Sequence, residues 1–176
     1  MVTLGVETIR SRDARADRQQ AATERRADRA AEREALDRER GQRLADEHRR
    51  QQRDSLTELQ EAMSSYIRLI GRGHHHDVMA WRAAGEPAEY PVDMLPEGLS
   101  EEINVVERRV QVLSQRVDDA EVRDGVREVV VCGLGAIPAR KVGDAGSANA
   151  ALGRMVTAFS TLNERIGSIL RGLPND

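Results

Sequence analysis

Large aromatic side chains are scarce in this chain of 176 residues, which contains one tryptophan, one phenylalanine and two tyrosines. A domain of this size usually gains much of its buried area from such side chains. Any core must therefore be built from valine, leucine, isoleucine, methionine and alanine, and that composition favours a thin helical bundle over a sheet or a deep pocket. The scarcity also argues against binding of single-stranded nucleic acid, because such binding needs aromatic stacking platforms.

Cysteine and long apolar runs are scarce as well. Cys132 is the only cysteine, so an intrachain disulfide is excluded and a reducing, cytoplasmic compartment is expected. The sequence has no apolar stretch of about 18 residues or more, the length that spans a membrane. Residues 1–9 are mildly apolar and precede Arg10 and Arg12, as at the cytoplasmic end of a membrane span. If the native N-terminus is longer, we expect a membrane-tethered protein that faces the cytoplasm. The pattern favours the alternative, a frayed helix start.

Charged residues make up 32 % of the chain and dominate residues 10–54. This segment has no proline and one glycine, so its helix propensity is high. Acidic residues stand four positions before an arginine, an orientation that stabilises a helix, in the pairs Glu34–Arg38, Glu39–Arg43 and Asp46–Arg50. Its large aliphatic residues are Leu36 and Leu44 alone, too few for an apolar stripe. A solvated helix is favoured, and a loose coiled coil or a disordered segment are the alternatives.

The pattern changes at Leu56, where apolar residues begin to recur at the 3-4 spacing of a helix with one buried face. This stripe predicts that the charged helix continues to Ile70 and ends at Gly71 and Gly73. Residues 71–99 are rich in glycine and proline and are predicted to form an irregular connector with a short helix across His75–Ala84.

Three further segments with helical spacing follow. Their predicted N-caps are Ser100, then Asp118 or Asp119, then Ser147. The sequence therefore predicts an all-α fold, in which a long charged helix (about residues 6–70) joins a small antiparallel four-helix bundle through its C-terminal end. We assign residues 1–55 to a charged stalk or coiled-coil arm and residues 56–176 to the bundle.

The run from His74 to Asp77 is the candidate metal site of the sequence. Two imidazoles and a carboxylate are a common ligand set, and the candidate ligands are His74, His76 and Asp77. On a helix, His74 and Asp77 share a face, whereas in an extended loop His74 and His76 converge. The pattern favours the alternative, a solvated polar junction that responds mildly to pH. No cofactor and no catalytic residue are predicted.

Two further patterns resemble known binding elements. The apolar run at residues 129–132, with Gly133 and Gly135, imitates a strand that enters a dinucleotide-binding loop. Pro138 replaces the third glycine of that fingerprint, and Val122 and Val126 continue a helical spacing, so a helix end is favoured. The arginines of residues 10–53 suggest a nucleic-acid binder, but acidic residues alternate with them nearly one for one and would repel phosphate.

Several stretches resemble uncharacterised coiled-coil or helical proteins of high-GC bacteria. They are the Arg-, Ala- and Glu-rich helix, Leu59–Ala62, His75–Ala80 and Asn163–Gly167. Some of those proteins begin with a single membrane span. The resemblance covers most of the chain but implies no activity and therefore no catalytic residues.

The leading hypothesis is a non-enzymatic helical scaffold or protein–protein interaction module. A protein partner, or self-association through the N-terminal helix, is expected. A metal- or pH-responsive module centred on the histidine run is the first alternative, and an arginine-helix nucleic-acid binder is the second.

Overall fold

A computed structural model describes residues 4–85, 95–137 and 145–173, and it describes the side chains of α1 at Thr23 and from Arg25 onward. Nearly all of this part is helical, in four α-helices: α1 Leu4–Ala83, α2 Leu99–Ser114, α3 Ala120–Ala136 and α4 Ala145–Gly172. The described residues contain no β-strand. The predicted all-α fold, with its long charged N-terminal helix, is confirmed.

The chain divides into two compact units, Met1–His48 (unit 1) and Arg49–Asp176 (unit 2). The boundary predicted from the sequence lies after residue 55, seven residues further along the chain than the boundary after His48. Two polar side chains between these boundaries contact the rest of unit 2. Gln52 donates to the backbone oxygen of Arg116 at 2.9 Å, and Arg53 donates to that of Leu173 at 2.8 Å. An apolar pattern cannot reveal such contacts.

The described side chains of unit 1 belong to α1 and are exposed. Every side chain at residues 25–48 is exposed within the chain, including Leu36 at 48 % and Leu44 at 67 %. These leucines lie eight residues apart and therefore about 80° apart around a helix, so they form no common seam. Two of the predicted ion pairs are present, Glu34–Arg38 at 2.6 Å and Glu39–Arg43 at 2.5 Å. Local pairing and intrinsic propensity are what hold this stretch in helical form.

Unit 2 is an up-down-up-down bundle of the C-terminal part of α1 with α2, α3 and α4. From one contact to the next along α1, the partner's residue number falls on α2 and α4, so these helices run antiparallel to α1. It rises on α3, so α3 runs in the same direction as α1. The pairs are Gln52–Arg116 and Arg72–Glu102 with α2, Gln60–Asn163 and His74–Asn149 with α4, and Tyr66–Val130 and His74–Ala136 with α3. The antiparallel four-helix bundle is thus present as predicted.

The core of the bundle is built mainly from aliphatic side chains. Each large side chain that it buries contributes about 1.5–3 kcal/mol. Its largest fully buried members include Leu56, Leu59, Met63, Tyr66, Ile70, Ile103, Met155 and Ile166. Those from α1 follow the predicted 3-4 stripe, so the burial of this face confirms the interpretation of the pattern.

Helix α1 continues well beyond its predicted end at Ile70. Residues 71–83 belong to α1 and not to an irregular connector, and the separate helix predicted across His75–Ala84 is part of α1. The chain turns at Gly85, whose φ of 82° favours glycine. Residues 86–94 of the predicted connector lie outside the described residues.

Close packing accounts for the glycine at position 73, inside α1. The buried stripe continues from Ile70 to Gly73 and Asp77. Gly73 has no side chain and Asp77 is acidic, so an apolar pattern includes neither. A Cβ at position 73 would lie 3.2 Å from Cδ1 of Ile137 and 3.3 Å from Cδ2 of Leu95. Gly73 therefore gives these side chains room and is not a helix terminator.

The helix caps agree with the prediction at one site out of three. Asp119 caps α3, and its Oδ1 accepts from the backbone N–H of Val122 at 2.9 Å. Helix α2 begins after Gly98, whose φ is 79°, with no side-chain cap, so Ser100 already lies inside the helix. Helix α4 begins at Ala145, which places Ser147 inside it. The N-cap of α2 is therefore Gly98 in the left-handed conformation, where a serine side chain was expected.

Candidate functional site

A polar cluster lies at the end of the bundle where α3 ends. It comprises His74 of α1, Asn149 of α4 and the carbonyl group of Ala136, and is called the His74 cluster. His74 is 7 % exposed and Asp77 is fully buried. Nδ1 of His74 lies 2.5 Å from the Ala136 oxygen, and Nε2 lies 2.9 Å from Oδ1 of Asn149.

The role of His74 follows from its acceptor. A carbonyl oxygen only accepts, so Nδ1 carries the proton and donates to Ala136. Ala136 is the last residue of α3, and the last carbonyls of a helix lack partners within it. His74 therefore caps α3 from α1, while its other nitrogen pairs with the Asn149 amide of α4. One imidazole joins three helices, and both of its ring nitrogens are engaged.

The structure does not bring the three predicted metal ligands together. His74 and Asp77 lie on the buried face of α1, whereas His75 and His76 are exposed, with ring centroids 6.5 Å apart. Among the described residues, no group of three His, Cys, Asp or Glu side chains is arranged to hold a metal ion. The helical geometry explains this, because consecutive positions diverge by about 100°.

The glycine run that resembled a nucleotide loop lies inside helix α3. Tyr66 is fully buried, and its hydroxyl donates to the Val130 oxygen at 3.4 Å. A Cβ at Gly133 would lie 2.7 Å from that hydroxyl oxygen, so only glycine leaves room for the phenol ring. The helix interpretation of this run is confirmed, and its role is to pack α1 against α3.

A shallow groove of about 430 Å³ runs between α1 and α2. We call it the Val-Arg groove; it is lined by Glu58 of α1, by Val105, Arg108, Arg109, Val112 and Leu113 of α2, and by Arg116, which follows the end of α2. Val105 is 59 % exposed and Val112 is 51 % exposed. The buried stripe of α2 does not include these two valines, so periodicity did not predict this surface. The sequence pattern that indicates this surface is a pair of valines seven residues apart, outside the buried stripe of α2.

A charge pairing joins α4 to the N-terminal end of α3. Arg165 donates to Oδ2 of Asp119 at 2.6 Å and lies 3.1 Å from Glu121. The hydrogen bond from Arg165 lowers the pKa of Asp119 below its usual value, although burial of the carboxylate opposes the shift. The same bond raises the pKa of Arg165. The charged form of Asp119 therefore both caps α3 and ties it to α4.

No match was found when the chain was compared with models of protein families, with curated proteins and with solved structures. In the part of the chain that the structure describes, no helix is long and apolar enough to cross a membrane. Function is therefore inferred from the chain's own residues and their geometry.

Proposed function

We propose that this chain is a non-enzymatic helical scaffold for protein–protein interaction. In this proposal unit 2 is the folded platform, and the charged helix of unit 1 is a spacer or an arm for self-association. The observation that carries the proposal is the uniform exposure of residues 25–48. A helix of that length that buries no face within its own chain is useful either as a spacer or as a surface for another molecule.

The charge balance of unit 1 supports a spacer or a protein contact over a phosphate contact. Residues 1–48 contain 11 arginines and 11 acidic residues, so their charges cancel. Phosphate binding depends on an excess of arginine and lysine, and residues 1–48 carry no net excess. A neutral helix with alternating charges keeps its helical form through local pairs, as Glu34–Arg38 and Glu39–Arg43 do.

The packing of unit 2 supports its role as a platform. The His74 cluster joins α1, α3 and α4, and Tyr66 is seated against Gly133. Contacts of this kind hold neighbouring helices in one arrangement, because a displaced helix would lose both its hydrogen bonds and its close packing. A surface on such a bundle presents its side chains at fixed spacing.

Sedimentation velocity, circular dichroism and affinity capture with the intact chain test the proposal together. We expect high helicity, combined with either a concentration-dependent oligomer or reproducible capture of a specific protein from cell extract. The matched control is Leu59→Asp, which places a charge in the core of unit 2 and should abolish capture. A monomer of low helicity that captures nothing would contradict the proposal.

A further inference from the structure

The Val-Arg groove combines exposed apolar and basic side chains on one helix face. Val105 and Val112 are more than half exposed, and Arg108, Arg109 and Arg116 are exposed beside them. Arginine is enriched at protein interfaces, and exposed apolar side chains with polar residues around them mark interaction surfaces.

The arginines of this groove have no charge partner among the described residues. None of the three guanidinium groups makes a hydrogen bond or an ion pair there, whereas Arg72, Arg127 and Arg165 of the same unit all pair with carboxylates. The groove lining contains three arginines and one acidic residue, Glu58. It is therefore locally basic, although unit 2 as a whole is acidic, with 19 acidic residues against 16 basic ones.

We propose that the Val-Arg groove binds an amphipathic helix of a partner protein, one whose apolar stripe is flanked by aspartate or glutamate. This inference deepens the proposed function and rests on it, because it names the partner's chemistry. The acidic flanks would pair with Arg108, Arg109 and Arg116, and the apolar stripe would cover the two valines.

The spacing of the groove fits a helix lying along it. Val105 and Val112 are separated by seven residues, which corresponds to roughly 10 Å along α2. Apolar residues at positions i, i+3 or i+4 and i+7 of a bound helix cover the same distance, as in other helix-in-groove complexes. Guanidinium groups on either side favour carboxylates, with which they form paired hydrogen bonds.

A designed peptide provides the probe. It has about 18 residues, roughly five helical turns, with leucines at 3-4 spacing and glutamates on both flanks; its counterpart carries lysines in place of the glutamates. Fluorescence anisotropy measures the binding of each labelled peptide to the intact chain. We expect the acidic peptide to bind and the basic peptide to bind at least about tenfold more weakly.

Variants of the groove should lose the acidic peptide selectively. Val112→Asp, and separately Arg109→Glu, should weaken its binding by about tenfold or more. The matched controls lie on α4, where Val156 is 53 % exposed and Arg154 is exposed. Val156→Asp and Arg154→Glu should leave binding unchanged, and circular dichroism should show all four variants folded.

In the peptide assay, three results would overturn the inference. They are no binding of the acidic peptide, equal binding of the basic peptide, and equal losses in the α4 controls. Sedimentation of the chain alone tests the other occupant, since a dimer that Val112→Asp dissociates would assign the groove to a second copy. If Val112→Asp still captures a cellular protein, the groove is not the binding surface, but the proposed function is retained. If the wild-type chain is a monomer and captures nothing, the proposed function itself is contradicted.

Discussion

Helix α1 contains two stretches that are helical for different reasons. Between residues 25 and 48 every side chain is exposed, and the ion pairs lie within the helix, as for Glu39 and Arg43. Between residues 56 and 77 one face is buried, with Leu59 fully covered. The first stretch depends on propensity and on pairs worth about 0.2–0.5 kcal/mol each. The second depends on tertiary packing, in which one buried leucine contributes several times as much.

This contrast shows that helical conformation alone says little about what stabilises a segment. The same element changes from one source of stability to the other near residue 49, where the two units divide. Substitutions of the same type in the two stretches should therefore have very different effects, and pairs of matched variants can measure the difference.

The largest expected difference is between two leucines. Leu59→Ala leaves a cavity in the core and should lower the free energy of unfolding by about 2–5 kcal/mol. Leu44 is 67 % exposed, and Leu44→Ala should change it by no more than about 0.5 kcal/mol. Urea unfolding followed by near-ultraviolet circular dichroism, to which buried Tyr66 contributes, measures both. Equal effects would show that residue 44 is also buried, for example by self-association.

Two glycines should respond to alanine with opposite signs. Gly133→Ala pushes a methyl group against Tyr66 and should destabilise the bundle by about 1–3 kcal/mol through overpacking. At Gly41 nothing lies within 4 Å of an added Cβ, so Gly41→Ala should stabilise its helix by about 0.5–1 kcal/mol. Thermal unfolding of unit 2 measures the first effect, and far-ultraviolet circular dichroism measures the second. A stabilising Gly133→Ala would contradict the described seat of Tyr66.

Two histidines in α1 should differ in the same way. His74→Ala removes the hydrogen bonds to Ala136 and Asn149 and should cost about 1–3 kcal/mol, because a buried acceptor loses its donor. His76 is exposed, and His76→Ala should be neutral within about 0.5 kcal/mol. Urea denaturation of both variants provides the comparison. A neutral His74→Ala would mean that the imidazole does not cap α3.

The smallest expected effect concerns charge. Because Arg165 lowers the pKa of Asp119, the ionised form contributes stability above the usual carboxyl range, and this is lost as the pH falls through the lowered value. Asp119→Asn keeps a capping oxygen but removes the charge, so it should be less stable than wild type by about 0.2–1 kcal/mol at neutral pH. The gap should close towards pH 3, roughly below the usual carboxyl pKa.

The control for this prediction lies in unit 1. Glu39→Gln removes an exposed pair within one helix, so it should lower helicity slightly and leave the unfolding of unit 2 unchanged. Urea titrations at several pH values measure both variants. A gap between Asp119→Asn and wild type that widens in acid would show that the sign of the pKa shift is wrong.

Much of the fold could be predicted from the sequence because periodicity reports directly on burial. The stripe from Leu56 to Ile70 and the cap at Asp119 both follow local rules that the structure obeys. The end of α1 could not be predicted in this way. Gly73 and Asp77 continue the buried stripe without being apolar. The close approach of Gly73 to Ile137 and Leu95 is a property of the packed bundle, which periodicity does not report.

The candidate site was less accessible to sequence analysis. The histidine run was singled out, but its split between a buried His74 and an exposed His76 depends on which face of α1 the bundle covers. The partner atoms of His74 lie on Ala136 and Asn149, a backbone carbonyl and a residue far along the chain. Val105 and Val112 could not be predicted in this way because they are apolar residues that lie outside the buried stripe of α2 and remain exposed.

The seat of Tyr66 against Gly133 also fixes the register of α1 in the bundle. A slide of α1 by one turn would bring Ala62, Met63, Leu69 or Ile70 to this position, and none of these side chains has a hydroxyl to reach the Val130 oxygen. The slide would also force the phenol ring against a residue other than glycine. The complementary packing of one tyrosine and one glycine thus selects a single alignment of α1 with α3. An aliphatic core without this pair would accept several.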